Sequence, residues 1–322
     1  MQRHLHRVLT PAMYHGHQAR PPFFEGWYFK LISADESHRT AIIPGVILGG
    51  RGHAFIQVLN GNEGTAAYHR FPLDQFWASE RAFDIRIGES RFTSTEIVLR
   101  AAGDAGSLEG QLHFKDVIPW PVSWRSPGIM GWYAWVPRME CYHGVLGFDH
   151  PIEGILRVDR VAVDFGGGRG YIEKDWGQSF PAAWVWFQSN HFEDVGTSLT
   201  ASVAVIPFLG GAFRGFIVGL WHERKLHRFA TYTGAKIDLL DIQPEQVHWR
   251  IVDRDRTLEM VVKKATSAPI LGPTRVEMGI RVNETLQAIV EARLTTKTGE
   301  VLFEGTGRNA GLEVQGDLER LR

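Results

Sequence analysis

Apolar and polar residues alternate with a period of two along most of this chain, and the helical period of 3.6 is nearly absent. The predicted strands include residues 96–101, 155–165, 247–252, 276–282 and 288–294. Glycine- and asparagine-rich turns, such as those at residues 60–62 and 166–168, separate the segments. Many short strands divided by such turns predict an all-β protein made of antiparallel barrels or sandwiches.

The length of the chain bears on its domain count. At 322 residues it reaches the size at which single cores stop growing, so two domains are expected. Residues 119–137 form an unusual segment with four prolines and four tryptophans, and their apolar content predicts that the segment is packed. We place the boundary just beyond it, which gives an N-terminal β domain of residues 1–144 and a C-terminal β domain of residues 145–322.

Charge and cysteine content narrow the range of partners and locations. The formal net charge is -1, so no basic field points to nucleic acid or to an anionic membrane. The one cysteine, Cys141, excludes an internal disulfide framework and a cysteine-based metal site. The first twenty residues contain arginines and histidines but no apolar core of a signal peptide. We therefore expect a cytoplasmic protein, with peripheral membrane contact left open.

One stretch resembles a membrane span in composition. Residues 199–221 contain Arg214 as their only charged residue. Pro207 and several glycines interrupt the stretch, and serine and threonine alternate with apolar residues at its start. We predict two buried strands that turn at residues 207–211, in preference to a transmembrane helix.

Two segments, residues 22–30 and 170–181, combine carboxylates with large aromatic rings. In an extended strand, Glu25 shares a face with Trp27 and Phe29. A carboxylate on such a face is paired, hydrogen-bonded or functional. Two interpretations stay open for Glu25: an ion pair with an arginine that fixes the strand, and a catalytic acid.

In the second segment, Tyr171, Glu173 and Asp175 share one face, and Lys174 points to the other. Repulsion between the two carboxylates favours protonation of one of them. Asp175 is therefore a candidate acid or ligand-orienting residue. The alternative is a solvated turn that Lys174 and arginines neutralise.

Further along the chain, four residues fall on one face of a predicted strand: Trp184, Trp186, Gln188 and Asn190. Large rings followed by neutral amides are typical of a cavity that holds an apolar ligand with a few polar anchors. The alternative is a tight aromatic core, in which the amides would need partners.

Residues 139–144 bring Cys141 next to His143, but no triad or oxyanion signature accompanies the cysteine. Tyr142 and His143 are better candidates for hydrogen bonding or proton transfer. His15 and His17, with His4 and His6 upstream, match no zinc pattern, so we expect a flexible, solvated N-terminal arm and no metal site.

The chain resembles the tocopherol cyclase family. The stretches that carry the resemblance are PFFEGWYFK at residues 22–30, MECYHG at 139–144, YIEKDWG at 171–177, IPFLGG at 206–211 and AGLEV at 310–314. The resemblance implies two lipocalin-like β domains and cofactor-free closure of a prenylated hydroquinone to a chromanol. A non-catalytic carrier of a prenyl lipid and a hydratase of an isoprenoid alkene are the alternatives.

Such a cyclisation needs an acid that protonates the alkene inside a dry aromatic cavity. A carboxyl pKa raised from about 4 toward 7 would supply that acid at neutral pH. Our hypothesis makes Asp175 the proton donor and Glu25 the second candidate, with Tyr142 or His143 directed at the phenol. The expected ligand-binding residues are Trp27, Phe29, Trp176, Trp184, Trp186, Gln188 and Asn190.

Overall fold

The computed structural model describes residues 2–159, 161–208 and 210–321, with side chains described from residue 5 onward. Most of these residues lie in strands, as the period-two pattern predicts. In chain order the strands are β1 (Phe23–Ile32), β2 (Arg39–Leu48), β3 (His53–Asn60), β4 (Thr65–Phe71), β5 (Phe76–Ala78), β6 (Asp84–Ile87), β7 (Ser90–Thr93), β8 (Glu96–Gly103), β9 (Gly106–Phe114), β10 (Val122–Ser123), β11 (Ser126–Pro127), β12 (Cys141–Val158), β13 (Val161–Asp164), β14 (Gly168–Gly177), β15 (Ala183–Ser189), β16 (Ser198–Phe208), β17 (Gly211–His222), β18 (Lys225–Ala230), β19 (Lys236–Ile242), β20 (Gln246–Val252), β21 (Arg256–Lys263), β22 (Ala268–Pro273), β23 (Met278–Thr296) and β24 (Val301–Gly316). The helical elements are α1 (Gln2–Val8) and short 3₁₀ helices at Gly16–Gln18, Leu73–Gln75, Gly131–Trp135, Thr231–Thr233 and Leu318–Leu321.

The chain forms two compact units. Unit 1 comprises Met1–Phe180 with Pro269–Arg281, and unit 2 comprises Pro181–Ala268 with Val282–Arg322. The boundary expected near Gly144 falls inside β12, whereas these units divide after Phe180. The reason is that β12 pairs with both β9 and β14, so the chain cannot leave the first sheet until β14 is complete.

Unit 1 is built on one antiparallel sheet with the strand order β4-β3-β2-β1-β14-β12-β9-β8-β7-β6-β5. Strands near opposite ends of this order meet, since β3 contacts β6 and β4 contacts β8. The sheet therefore curls around a core to which β1, β3, β8 and β14 contribute Trp27, Phe29, Ile56, Leu99 and Ile172. Three neighbouring strands of the sheet, β1, β14 and β12, carry most of the candidate residues of this unit.

Unit 2 is a second antiparallel sheet, in the order β18-β17-β16-β15-β24-β23-β21-β20-β19. Phe216 of β17 and Trp249 of β20 are far apart in this order, yet their ring centroids are 6.2 Å apart. This sheet also curls around its own core, which contains Val185 and Phe187 of β15. Two curled antiparallel sheets confirm the predicted all-β, lipocalin-like class.

The membrane-like stretch of residues 199–221 is a strand hairpin, as predicted. β16 and β17 pair from Ser198 opposite Trp221 to Phe208 opposite Gly211. Leu209, within the expected turn, lies outside the described residues. Among the helices of the described ranges, none has the length and apolar character needed to cross a membrane.

Strand boundaries differ from the prediction in two regions. Residues 155–165, expected as one strand, are the end of β12, a turn at Asp159 with a positive φ of 48°, and β13. Residues 276–282 and 288–294, expected as two strands, mostly belong to the single strand β23. Its pairing with β24 shifts register between Thr285 and Val290, which disturbs the alternation that a sequence pattern detects.

Candidate active site

The strand register of unit 1 sorts the candidate residues onto two faces of one sheet. Glu25 of β1 pairs with Trp176 of β14, and Trp27 pairs with Lys174, so these four share a face. We call this the core face, because Trp27 and Trp176 belong to the unit 1 core. The opposite face, here called the acid face, carries His143, Glu173 and Asp175.

A buried ion pair dominates the core face. Nζ of Lys174 lies 2.6 Å from Oε1 of Glu25, and both side chains are fully buried. The backbone N–H of His15 donates to both carboxylate oxygens of Glu25, at 2.8 and 3.1 Å. The ion-pair interpretation of Glu25 is therefore the one that the structure shows, with a lysine in the place expected for an arginine.

Lys174 also holds the N-terminal segment against the sheet. Its ammonium donates to the carbonyl oxygens of Pro11, at 2.8 Å, and of Met13. Its Nζ also lies 2.8 Å from Nδ1 of His15. The expected flexible, solvated arm is wrong for this segment, because Met13 is buried and the His15 ring stacks on Trp176 at 4.4 Å.

The charges on the core face follow from these contacts. Burial by itself would raise the pKa of Glu25, but the Lys174 ammonium and the His15 hydrogen bonds outweigh it and lower that pKa below its usual value. Burial lowers the pKa of Lys174 to about 8, against the opposing effect of Glu25. Burial and then the Lys174 charge lower the pKa of His15. Glu25 is thus ionised at neutral pH, which argues against its candidacy as proton donor.

The acid face has a different organisation. Nδ1 of His143 lies 2.9 Å from Oδ1 of Asp175, and Nε2 lies 3.6 Å from Oε2 of Glu173. The Tyr171 hydroxyl donates to Oε2 of Glu173 at 2.6 Å. The Asp175 side chain is 28% exposed, compared with 6% for Glu173. Asp175 is therefore the carboxyl of this cluster that a ligand reaches most easily.

The acid face also has the donor set of a metal site. One ligand atom each from His143, Glu173 and Asp175 lie within 4.8 Å of one another. An imidazole nitrogen with two carboxylate oxygens can bind a divalent cation. The same three groups can equally move a proton between themselves, and the chemistry considered below needs no metal.

The glycine that ends β14 fixes the approach of β12 to this site. A Cβ on Gly177 would lie 2.3 Å from the backbone oxygen of Glu140. Only a residue without a side chain allows Cys141 to pair with position 177, and that pairing sets His143 opposite Asp175.

Tyr142, the alternative to His143 for directing the phenol, and Cys141 each have a different environment from His143. Tyr142 lies on the core face, where its ring stacks on Trp176 at 5.3 Å and its hydroxyl donates to the Val136 oxygen at 2.6 Å. Tyr142 and His143 therefore lie on opposite faces of the sheet. Burial, with Asp175 and Glu140 nearby, raises the pKa of the Cys141 thiol well above its usual value, which opposes a nucleophilic role.

Two of the expected ligand-binding residues are packed core residues. Trp27 stacks on Phe83 at a centroid distance of 5.6 Å. The ring centroid of Phe29 lies 6.2, 6.1 and 6.0 Å from those of Phe83, Phe92 and Phe114. Both side chains are fully buried, so the structure favours a core role for them over ligand contact. Trp176 is likewise enclosed between the rings of His15 and Tyr142.

The remaining expected ligand-binding residues belong to unit 2. Trp184, Trp186 and Gln188 lie on the face of β15 opposite its core residues Val185 and Phe187, as the alternation predicts. Asn190 follows the end of that strand. All four are buried. Trp184 Nε1 donates to Glu313 at 2.6 Å, and Gln188 Nε2 donates to Ser198 at 3.4 Å. Their role toward a ligand stays a prediction.

Sequence reasoning missed His15 and Lys174 as partners of Glu25. A signal for Lys174 was present, because strand alternation places it on the same apolar face as Ile172 and Trp176. A lysine buried on such a face needs an acidic partner. No comparable signal exists for His15, which reaches Glu25 through its backbone N–H.

The chain belongs to the tocopherol cyclase-like family, whose model matches residues 98–316, more than half of the chain. It is 25% identical to a probable chloroplastic tocopherol cyclase of Oryza sativa subsp. japonica over 209 residues, which are 61% of this chain and 44% of that protein. It is 26% identical to the chloroplastic tocopherol cyclase of Zea mays over 202 residues, 58% of this chain and 41% of the maize protein. The matches thus cover less than half the length of these relatives.

Solved structures share the fold over nearly the whole chain. The structure of CghA with Sch210972 has a TM-score of 0.57 at 14% identity and covers 92% of this chain and 89% of its own. Kievitone hydratase from Nectria haematococca has a TM-score of 0.53 at 11% identity, covering 94% of both chains. A putative AttH from Nitrosomonas europaea has a TM-score of 0.52 at 13% identity, covering 90% and 92%.

Proposed function

We propose that this protein is an enzyme that closes a prenylated hydroquinone to a chromanol, with the acid face of unit 1 as its source of the proton. The observation that carries the proposal is the His143–Asp175 contact of 2.9 Å, in which the carboxyl is partly exposed. The family match supports it, since residues 98–316 include His143, Glu173 and Asp175 and leave out His15 and Glu25.

The chemistry starts with proton transfer from the Asp175 carboxyl to the less substituted carbon of a trisubstituted alkene. The π bond breaks, a C–H bond forms and a tertiary cation remains. The neighbouring phenol oxygen attacks the cation, a C–O bond forms and the phenol loses its proton to the Asp175 carboxylate. Substrate and product have the same mass, the carboxyl is restored, and the proton balance closes without a redox cofactor.

His143 can reprotonate the Asp175 carboxylate in this cycle. Carboxylates lie 2.9 and 3.6 Å from its two ring nitrogens and stabilise a positive charge on the ring. A protonated imidazole in contact with Asp175 can return a proton to the carboxylate when the released phenol proton is lost to solvent. The Tyr171–Glu173 hydrogen bond fixes the second carboxylate in place.

The substrate expected for this chemistry is a hydrophobic small molecule with a phenol next to a prenyl tail. Folding of the tail over the ring brings the oxygen and the alkene together, and well-oriented intramolecular reactions gain about 7–11 kcal/mol in this way.

Mass spectrometry of the product tests the proposal. Purified protein is incubated with a prenylated hydroquinone in H₂O and in D₂O. We expect a product of unchanged mass in H₂O that carries one carbon-bound deuterium in D₂O. Asp175→Asn should lower turnover about 10²–10⁴-fold. Asp104→Asn, in the exposed turn between β8 and β9, is the matched control and should leave turnover unchanged. Full turnover by Asp175→Asn would refute the donor assignment.

Hydration is the second candidate, because the fold is shared with a protein named kievitone hydratase and water could capture the same cation. The product would then be heavier than the substrate by one water. A third outcome, tight binding of the quinol without any product from the wild type, would indicate a carrier and contradict both enzymatic functions.

A further inference from the structure

The segment of residues 119–138, here called the Trp loop, displays large apolar side chains on the surface of unit 1. Trp124 is 66% exposed, Trp132 is 48% exposed and Val122 is 42% exposed. The expectation that the segment is packed holds only for part of it, including Trp120, Ile129 and Met130, which are buried. Exposed rings close together in one segment indicate an interaction surface.

The Trp loop is anchored, so its exposed rings are held in position. Trp120 stacks on Phe148 of β12 at a centroid distance of 5.3 Å. The indole nitrogen of Trp135 donates to the Trp124 carbonyl at 3.0 Å. The Val136 carbonyl accepts the Tyr142 hydroxyl at 2.6 Å, which joins the loop to β12. A fixed loop presents its rings to a partner at a small entropic cost.

The charges of the Trp loop have a single sign. Arg125 lies over the Trp124 ring, 4.8 Å from its centroid, and Arg138 is exposed at the end of the loop. Residues 117–139 contain no aspartate or glutamate. Tryptophans with arginines and without acids have the chemistry of a membrane-interface anchor: indoles prefer the headgroup level, and arginines attract anionic lipids.

We propose that the Trp loop docks this protein on the surface of a bilayer that contains anionic lipids. Trp124 and Trp132 enter the headgroup region, and Arg125 and Arg138 pair with lipid phosphates. Docking there needs no spanning element and no change in the two sheets. The proposal does not depend on the cyclase reaction, because the structural features that support it are in the loop and the readout is binding.

Vesicle flotation tests this surface. The full-length protein is mixed with vesicles of phosphatidylcholine, with or without phosphatidylglycerol. We expect binding to vesicles that contain phosphatidylglycerol, weaker binding to pure phosphatidylcholine, and loss of binding as salt is raised. Trp124→Ser/Trp132→Ser should reduce partitioning at least about 10-fold, and Arg125→Gln/Arg138→Gln should abolish the preference for phosphatidylglycerol.

Trp77 offers a matched control. It is 50% exposed and also has an arginine, Arg86, over its ring, but it lies on β5. Trp77→Ser should bind vesicles like the wild type, and circular dichroism should show that every variant is folded. The proposal is overturned by absence of vesicle binding in the wild type, or by an equal loss in Trp77→Ser. The proposal is also overturned if the double tryptophan variant keeps full binding to vesicles. If the wild type self-associates without binding vesicles, and the double variant abolishes that self-association, the Trp loop is a contact between copies of this chain and the proposal is wrong.

Discussion

The two faces of the β1–β14–β12 sheet place a carboxylate and a basic side chain together in different environments. On the core face, Glu25 is fully buried and bonded to a buried ammonium 2.6 Å away. On the acid face, Asp175 is partly exposed and contacts an imidazole 2.9 Å away. Lys174 and Asp175 are neighbours in the chain, yet they face opposite sides of the strand.

The comparison shows how environment separates a structural carboxylate from the one that we propose as proton donor. A buried carboxylate with a strong cation stays ionised, so it stabilises the fold but has no proton to give. A carboxyl at an accessible position beside a histidine can exchange protons with a substrate and be reprotonated. The faces can therefore be told apart by experiments that measure stability and turnover separately.

Removal of the lysine should have the largest effect on stability. Lys174→Met leaves Glu25 buried without its cation and releases Pro11 and Met13, so we expect a loss of about 3–5 kcal/mol in the free energy of unfolding. Chemical denaturation of the variant and the wild type measures this loss in the free energy of unfolding. The exposed Lys115–Glu153 pair is the control, and Lys115→Met should change stability by about 1 kcal/mol or less. Similar losses in the two variants would contradict the contrast between buried and exposed pairs.

The histidine of the acid face should matter for turnover and little for stability. His143→Gln preserves a hydrogen-bonding side chain beside Asp175 but cannot hold the reserve proton, so turnover should fall about 10²-fold. The pH profile of turnover should also change shape, because the variant has no titratable imidazole beside Asp175. If only KM rises while the pH profile is kept, His143 positions the ligand and stores no proton.

The pH dependence of stability should sharpen the contrast further. The folded-state pKa of Glu25 is lowered, so its contribution is present above the ordinary glutamate pKa and is lost as pH falls through the folded value. In Lys174→Met, burial without the cation should raise that pKa and reverse the sign. The variant should then gain stability, by up to about 1.4 kcal/mol per pH unit, as pH falls from 7 to 5. Denaturation midpoints of the wild type and Lys174→Met, measured at pH 7 and pH 5, test this prediction. If the stability of both proteins changes with pH in the same way, the assigned charge of Glu25 is wrong.

The sequence predicted the faces but not the partners. Alternation placed Glu25 with Trp27, and Glu173 with Asp175, because the side-chain period of a strand is fixed. The same rule places Tyr142 and His143, the two alternatives for directing the phenol, on opposite faces of the strand.

What alternation cannot provide is contact between distant segments. The His15 N–H reaches Glu25 across ten positions that include a 3₁₀ helix and a bend into β1, and no local pattern encodes that bond. The extent of β12 was missed for a related reason. Its register against β14 shifts between Val145 and His150, and such irregularities break the pattern that a strand prediction follows.

The most direct test compares Asp175→Asn with Glu25→Gln, with turnover on a prenylated hydroquinone measured per folded molecule. We predict that Asp175→Asn folds as stably as the wild type and loses about 10²–10⁴-fold in turnover. We also predict that Glu25→Gln is destabilised and that its folded fraction turns over substrate at close to the wild-type rate. A folded Glu25→Gln without activity, beside a fully active Asp175→Asn, would show that the reactive carboxyl lies on the core face.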